Sequence, residues 1–371
     1  MTARFLSRPR RDTVEILAYL DTLRSLAVSK PDRLELIQGL QTSDLIIDDA
    51  AHMPLSPWFE VRLFDRAEVE RTLALYDAKE SRAARTFLAT LARRPEVRML
   101  RRPPSLAAVQ ALGVRFPNFR PVVDLIEAMT VLARARPGSP LQLPPILLAG
   151  APGVGKTAFA VALAETLGLE WSMLGVAHAT AGFDLGGLDS AYGGGGPGLL
   201  TRQVALSVHP DRVVVLDELD KAPPHATSDP LGPLYELLEP STAKRFMDDG
   251  VKVRIDMSHI TWIGTVNGLD KLEPALRSRF SIFHIDRPTR AQAKLIAQTL
   301  YAELLGAQAW GHQFEALLSH EVLNLLSAYG PRESKAVLVL ACGRALKAGR
   351  GHLQLEDFDP PAPTRRGMGF L

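Results

Sequence analysis

One segment constrains this chain above all others: Gly150-Ala-Pro-Gly-Val-Gly-Lys-Thr157. It follows a fully apolar run, Ile146-Leu-Leu-Ala149, and opens an alanine-rich stretch of helical character. An apolar strand, a loop of the form G-x-x-x-x-G-K-[ST] and a helix, in that order, make a phosphate cradle. Gly150, Gly153 and Gly155 allow the backbone to curl so that successive N–H groups point inward as an anion nest. A helix starting at Lys156 adds its positive N-terminal end. In such a cradle Lys156 reaches the β- and γ-phosphates of a nucleoside triphosphate, and the Thr157 hydroxyl is a ligand for Mg²⁺. The candidate nucleotide-binding residues are Gly150, Pro152, Gly153, Val154, Gly155, Lys156, Thr157 and Ala158, with ATP and Mg²⁺ as the expected cofactors.

The surrounding pattern extends this strand into a sheet. Apolar runs recur at Val213-Val-Val-Leu216 and Ile260-Thr-Trp-Ile-Gly-Thr265, with helical segments between. Buried strands alternating with helices predict an α/β fold: a parallel sheet flanked by helices on both faces, with right-handed crossovers. The run at 213 ends in Asp217-Glu218, two carboxylates at the sheet edge where such folds bind ligands. Asp217 is the candidate for holding Mg²⁺, which takes hard oxygen ligands. Glu218 is the candidate for polarising a water against the γ-phosphate.

Residues 1–104 read as a helical N-terminal region, with helical spacing over 12–100. Asp12 precedes Val14, Leu17, Leu20 and Leu23; a second helix is predicted from Asp65, with Glu68 as in a capping box and Ala84, Phe87, Leu88 and Leu91 on one face. The stretch from Leu45 to Pro57 reads as a connector. Arg93, Arg94, Arg98, Arg101 and Arg102, opposed only by Glu96, leave two readings open: a surface for an anionic partner or a solvated linker. The nucleotide-binding domain is expected over 105–287, with a helix from Val122 to Arg134 before its first strand. A small helical lid follows over 288–358, opening with a Thr289–Gln292 capping box and Leu295, Ile296 and Leu300 at helical spacing; 359–371 reads as a disordered tail.

Composition narrows the class further. Hydrophobic residues at 46% and charged residues at 23% argue for a globular chain. A formal charge of +2 gives no case for nucleic acid or a membrane surface. Cys342 is the single cysteine, which excludes a disulfide framework and a cysteine-based zinc site and makes a cytoplasmic location the expectation. No run approaches the roughly 18 apolar residues of a membrane span.

These residues together resemble the AAA+ ATPases. The phosphate loop, Asp217-Glu218, Asn267 after the next strand, Arg279 in Leu276-Arg-Ser-Arg-Phe280 and Arg332 in Gly330-Pro-Arg-Glu333 carry the likeness. Within that superfamily the chain is most similar to the ATPase module of Lon proteases, through Val215-Leu-Asp-Glu-Leu-Asp-Lys221, Asp229-Pro230 and Leu237-Leu-Glu-Pro240. The resemblance covers roughly residues 110–357 and implies roles for four residues beyond the loop. Asn267 would be a sensor of the γ-phosphate, and Arg332 a second sensor on the lid. Arg279, with Arg277 in reserve, would be an arginine finger reaching the neighbouring subunit, which demands a ring, hexameric in the family. Tyr192, in Tyr192-Gly-Gly-Gly-Gly-Pro-Gly198, matches where Lon carries its substrate-gripping loop; a flexible surface loop is the other reading. Phe116 and Phe119 lie where the family surrounds the adenine, and core packing is the alternative.

Two departures from Lon stand out. Too few residues follow Arg332 for a peptidase domain, so no peptide cleavage of its own is expected. The bulky aliphatic neighbour of the gripping aromatic is Gly193 here, which loosens the loop. The expected function is a ring-forming, ATP-hydrolysing homo-oligomer that remodels or translocates a protein partner. A nucleic-acid-associated loader and an ATP-stabilised assembly scaffold are the alternatives, with nucleic acid disfavoured by the near-neutral charge.

Overall fold

The computed structural model describes residues 59–76, 82–135, 140–176, 181–189, 195–222 and 230–359. The chain divides into two compact units, Met1–Ser56 and Pro57–Leu371, and every described residue lies in the second. The helix expected after Asp12, the connector from Leu45 to Pro57 and the tail beyond Asp359 lie outside the described residues.

Segment 59–100 is helical through its middle, as expected, and adds a short strand at each end. Strand β1 (Phe59–Arg62) pairs antiparallel with β2 (Val97–Leu100), and helices α1 (Arg66–Leu75) and α2 (Arg82–Ala92) fill the connection. Asp65 caps α1, its Oδ1 accepting the N–H groups of Ala67 and Glu68. Glu68 itself turns away to accept from Arg254 at 3.1 Å, so it does not complete the box. The apolar face of Ala84, Phe87, Leu88 and Leu91 is buried, but on the separate helix α2. The arginine stretch is no solvated linker at its centre. Arg98 lies within β2, is 5% exposed and donates to the carbonyls of Pro95 and Ala205. Four-residue strands between arginines and prolines carry too short an alternation to stand out in sequence.

Helices α3 (Leu106–Arg115) and α4 (Arg120–Ala135) come next. The remaining strands are β3 (Ile146–Ala149), β4 (Glu170–Gly175), β5 (Arg212–Asp217), β6 (Phe246–Met247), β7 (Arg254–Ile255), β8 (Ile260–Val266) and β9 (Ser281–His284). β6 and β7 form a short antiparallel pair. The other five make one parallel sheet in the order β4–β5–β8–β3–β9. The three strands expected from apolar runs are β3, β5 and β8. The edge strands β4 and β9 lack such runs: Trp171 and Met173 are exposed, and β9 is only half-buried.

Alternation along the strands sends side chains to two cores. Ile146, Leu148, Val213, Val215 and Ile263 pack with Val109, Val123 and Ile126 of α3 and α4 and with Phe159 and Leu163 of α5 (Lys156–Leu167). Leu147, Val214, Leu216 and Trp262 face the other side. There they meet α2 and two helices inserted in the sheet crossovers, α6 (Ala181–Gly186) and α7 (Leu199–Ala205), through Leu88, Leu185 and Leu200. Short helices α8 (Leu234–Leu237), α9 (Pro240–Ala243) and α10 (Pro274–Arg277) complete this unit.

The lid comprises α11 (Arg290–Ala307), α12 (His320–Leu326) and α13 (Pro331–Lys347). The Thr289–Gln292 box forms as the spacing predicts, with the Thr289 N–H donating to Gln292 Oε1 at 2.9 Å and the Gln292 N–H to Thr289 Oγ1 at 3.3 Å. Tyr301, Val322, Leu338 and Ala341 build its own small core. Cys342 lies in that core, and burial pushes its thiol up to about 11, so it stays protonated at neutral pH. Among the described residues no helix is long and apolar enough to cross a membrane.

Candidate functional site

Strand register brings the site together. Ala149 pairs with Val266 and Leu216 with Gly264, which levels the carboxyl ends of β3, β8 and β5. Gly150, Asn267 and Asp217 therefore emerge along one edge of the sheet, where parallel α/β folds bind ligands. The loop after β3 needs its glycines. A Cβ at Gly150 would collide with the Ile285 carbonyl oxygen, and Gly155 sits at φ +104°, a left-handed conformation. No side chain caps α5 at Gly155, so its first-turn N–H groups remain for a ligand.

Lys156 is the hub of the edge. It is 8% exposed, and its Nζ donates to the carbonyls of Gly150 (2.6 Å) and Ala151 (3.1 Å) and to Asn267 Oδ1 (3.1 Å). None of the three acceptors carries a charge. Burial lowers the Lys156 pKa, while Asp220, Asp217 and Glu218 pull it back up. A buried ammonium on neutral partners is a receptor for an anion. Beside it, Thr157 Oγ1 donates to Asp217 Oδ1 at 3.1 Å, placing a hydroxyl and a carboxylate together. Two hard oxygen donors next to an anion cradle suit Mg²⁺, which completes its shell with water and phosphate oxygens. The residues present therefore fit both ATP and its metal.

Glu218 stands where the chain leaves β5 and adopts φ 56°, ψ 48°. A left-handed conformation costs a non-glycine residue about 1–2 kcal/mol. Glu218 Oε1 accepts from Lys221 Nζ at 2.6 Å. Sequence reading passed over Lys221 and Asp220 as flanking residues, and Thr265 as one position of an apolar strand.

The other candidates lie apart from this cluster. Arg279 donates to the carbonyls of Ala275 (2.7 Å) and Tyr235 (3.2 Å), and its guanidinium lies over the Tyr235 ring. Arg332 is exposed in the first turn of α13, where Glu333 accepts from the Gly330 N–H at 3.0 Å. Phe119 is fully buried and stacks on Phe159 at 4.4 Å, with Phe116 edge-on to both, so Phe119 is a core residue under the loop. Between them Asn118 donates to the carbonyls of Val154 (3.4 Å) and Asp286 (3.2 Å), and Gln292 of α11 donates to that of Pro117 (3.0 Å). Tyr192 lies outside the described residues.

Residues 146–287 match the family model described as "ATPase family associated with various cellular activities (AAA)". Over these residues the chain is similar to the AAA ATPases. The peroxisomal Lon protease homolog 2 of Pichia angusta is 35% identical over 226 residues, which is 59% of this chain and 24% of that protein. The Lon protease of Cytophaga hutchinsonii is 32% identical over 158 residues, 43% of this chain and 19% of its own. The nucleotide-binding region is thus similar to that of Lon proteases, and the chain spans about a quarter or less of the length of these relatives. A closed-state cryo-EM reconstruction of Hsp104 with ATPγS and FITC casein shares the fold, with a TM-score of 0.52 and 19% identity, covering 66% of this chain and 48% of that one.

Contacts also hold the described residues that flank positions 190–194. Leu188 and Gly196 exchange backbone hydrogen bonds of 3.0 and 2.8 Å. Below them Asp248, fully buried, accepts the N–H of Gly198 at 2.9 Å and that of Gly250 at 2.8 Å. Burial raises the Asp248 pKa while these backbone bonds oppose it. Asp248→Ala leaves two buried N–H groups without an acceptor, a loss of about 2 kcal/mol. The variant is expected to melt several degrees lower; an unchanged melting temperature would show that Asp248 clamps nothing.

Proposed function

We propose that the chain binds ATP with Mg²⁺, hydrolyses it in a ring of its own copies, six by family likeness, and uses the cycle to remodel or translocate a protein partner. The supporting observation is that two adjacent loop residues reach two other strand ends, Lys156 bonding Asn267 and Thr157 bonding Asp217. Lys156 and the loop N–H groups hold the phosphates, in place of the carbonyls that Lys156 meets here. Thr157 and Asp217 hold Mg²⁺, which supplies positive charge against the phosphate oxygens. Glu218 takes the proton of the attacking water, and the Asn267 amide donates towards the γ-phosphate or that water. Arg279 belongs to the neighbour's site, in keeping with contacts that tie it to α8 and α10 and not to the phosphate loop of its own copy. The region preceding the nucleotide-binding core selects the partner, and the Tyr192 loop grips it.

Phosphate release from MgATP by the full chain tests the reaction, and mixed assemblies test the ring. Arg279→Ala is expected to lower turnover by about tenfold, equivalent to about 1.4 kcal/mol in the transition state. Mixing it with Glu218→Gln copies, which retain Arg279, is expected to restore part of the rate. Absence of any recovery would count against a finger acting between subunits.

One observation favours the nucleic-acid-associated alternative. Arg82, Arg85 and Arg93 share an open, nearly flat face along α2. Binding of a nucleic acid that weakens steeply with salt would support that reading.

A further inference from the structure

The turn between Asp217 and Glu218 is held by a side chain from the neighbouring strand. Thr265 lies on β8, two residues before Asn267, and is 2% exposed. The β5–β8 ladder ends at the pairing of Leu216 with Gly264. Beyond it the Glu218 N–H meets Thr265 Oγ1 at 3.0 Å, and that same hydroxyl donates its proton to Asp217 Oδ1 at 2.7 Å. One hydroxyl thus accepts from the backbone of one acidic residue and donates to the side chain of the other. A threonine can do both because its oxygen is donor and acceptor at once; valine, of nearly the same shape, can do neither.

This contact sits where the backbone is most in need of it. Glu218 is one of two non-glycine residues with positive φ among those described, the other being Lys252 in the β6–β7 turn. A strained residue persists only where its surroundings over-determine it. The Thr265 bond to the Glu218 N–H fixes the start of the left-handed step, and the bond to Asp217 Oδ1 fixes the carboxylate that Thr157 also touches. We propose that Thr265 is the positioning residue that holds Asp217 and Glu218 in divergent directions, one for the metal and one for the water. The inference rests on the ATPase reading above and adds to it a residue outside the carboxylate pair itself.

The test compares Thr265→Val, Thr265→Ser and wild type in steady-state phosphate release, Mg²⁺ titration and binding of a fluorescent ATP analogue. Thr265→Val is expected to lose about tenfold or more in kcat and to require more Mg²⁺ for half-maximal rate, with analogue binding in EDTA within about threefold of wild type. Thr265→Ser keeps the hydroxyl and is expected to stay within about threefold in kcat. Wild-type kcat in Thr265→Val would overturn the proposal, as would a serine variant as slow as the valine one. Should valine prevent folding, Thr265→Ala against Thr265→Ser decides: a folded but slow alanine variant beside a normal serine variant supports it, and equal rates overturn it. If wild type and Glu218→Gln alike release no phosphate, the ATPase reading itself falls. If wild type turns over and Thr265→Val matches it, only this inference falls.

Discussion

Lys156→Ala is expected to abolish ATP binding, with affinity falling at least about a hundredfold, or about 2.7 kcal/mol. The size follows from where the ammonium sits. Lys156 is buried against the carbonyls of Gly150 and Ala151 and the Asn267 amide oxygen, so its charge is desolvated before any ligand arrives. A polyphosphate entering the loop meets that charge at short range and in low dielectric, where a single cation counts for far more than on the surface. Alanine removes it and also releases Asn267 from its partner. Equilibrium binding of a fluorescent ATP analogue, with and without Mg²⁺, checks the result; unchanged affinity would remove the phosphate-cradle reading altogether.

Glu218→Gln separates binding from chemistry. Glutamine keeps the length and shape of the side chain but cannot accept a proton from water. Turnover is expected to fall by about a hundredfold or more, the usual contribution of a general base. ATP affinity is expected to stay within about threefold, because Lys156, Thr157 and Asp217 are untouched. The Lys221 contact also weakens in this variant, since an amide oxygen replaces a carboxylate 2.6 Å from an ammonium. Single-turnover phosphate release beside equilibrium binding reads the two effects separately. A wild-type hydrolysis rate in Glu218→Gln would show that another group activates the water.

The parts of the site legible in the sequence are those where backbone demands and chemistry coincide in adjacent residues. The loop from Gly150 to Thr157 announces itself because close approach, positive φ and a cation are required within one short segment. Asp217-Glu218 stands out because it ends an apolar strand. Thr265 was hidden for the opposite reason: its polarity is spent on groups from another strand, and within Ile260-Thr-Trp-Ile-Gly-Thr265 it looks like one more strand residue. Lys221 and Asp220 gain their meaning only from the turn that carries them past the sheet edge. In the fold, the buried strands β3, β5 and β8 were readable as apolar runs. The edge strands β4 and β9 and the β1–β2 pair were not, because β4 leaves Trp171 and Met173 in solvent and β2 exposes Val97 while burying Arg98, so burial there does not follow hydrophobicity.

The short segment from Pro117 to Phe119 has a mechanical consequence. Asn118 grasps the carbonyl of Val154 within the phosphate loop and that of Asp286 at the end of the sheet, while Gln292 at the head of α11 holds Pro117. Close by, Arg115 joins Glu303, towards the C-terminal end of α11, at 2.6 Å. The phosphate loop and the first turn of α11 are therefore moored to the same three residues, Pro117 to Phe119.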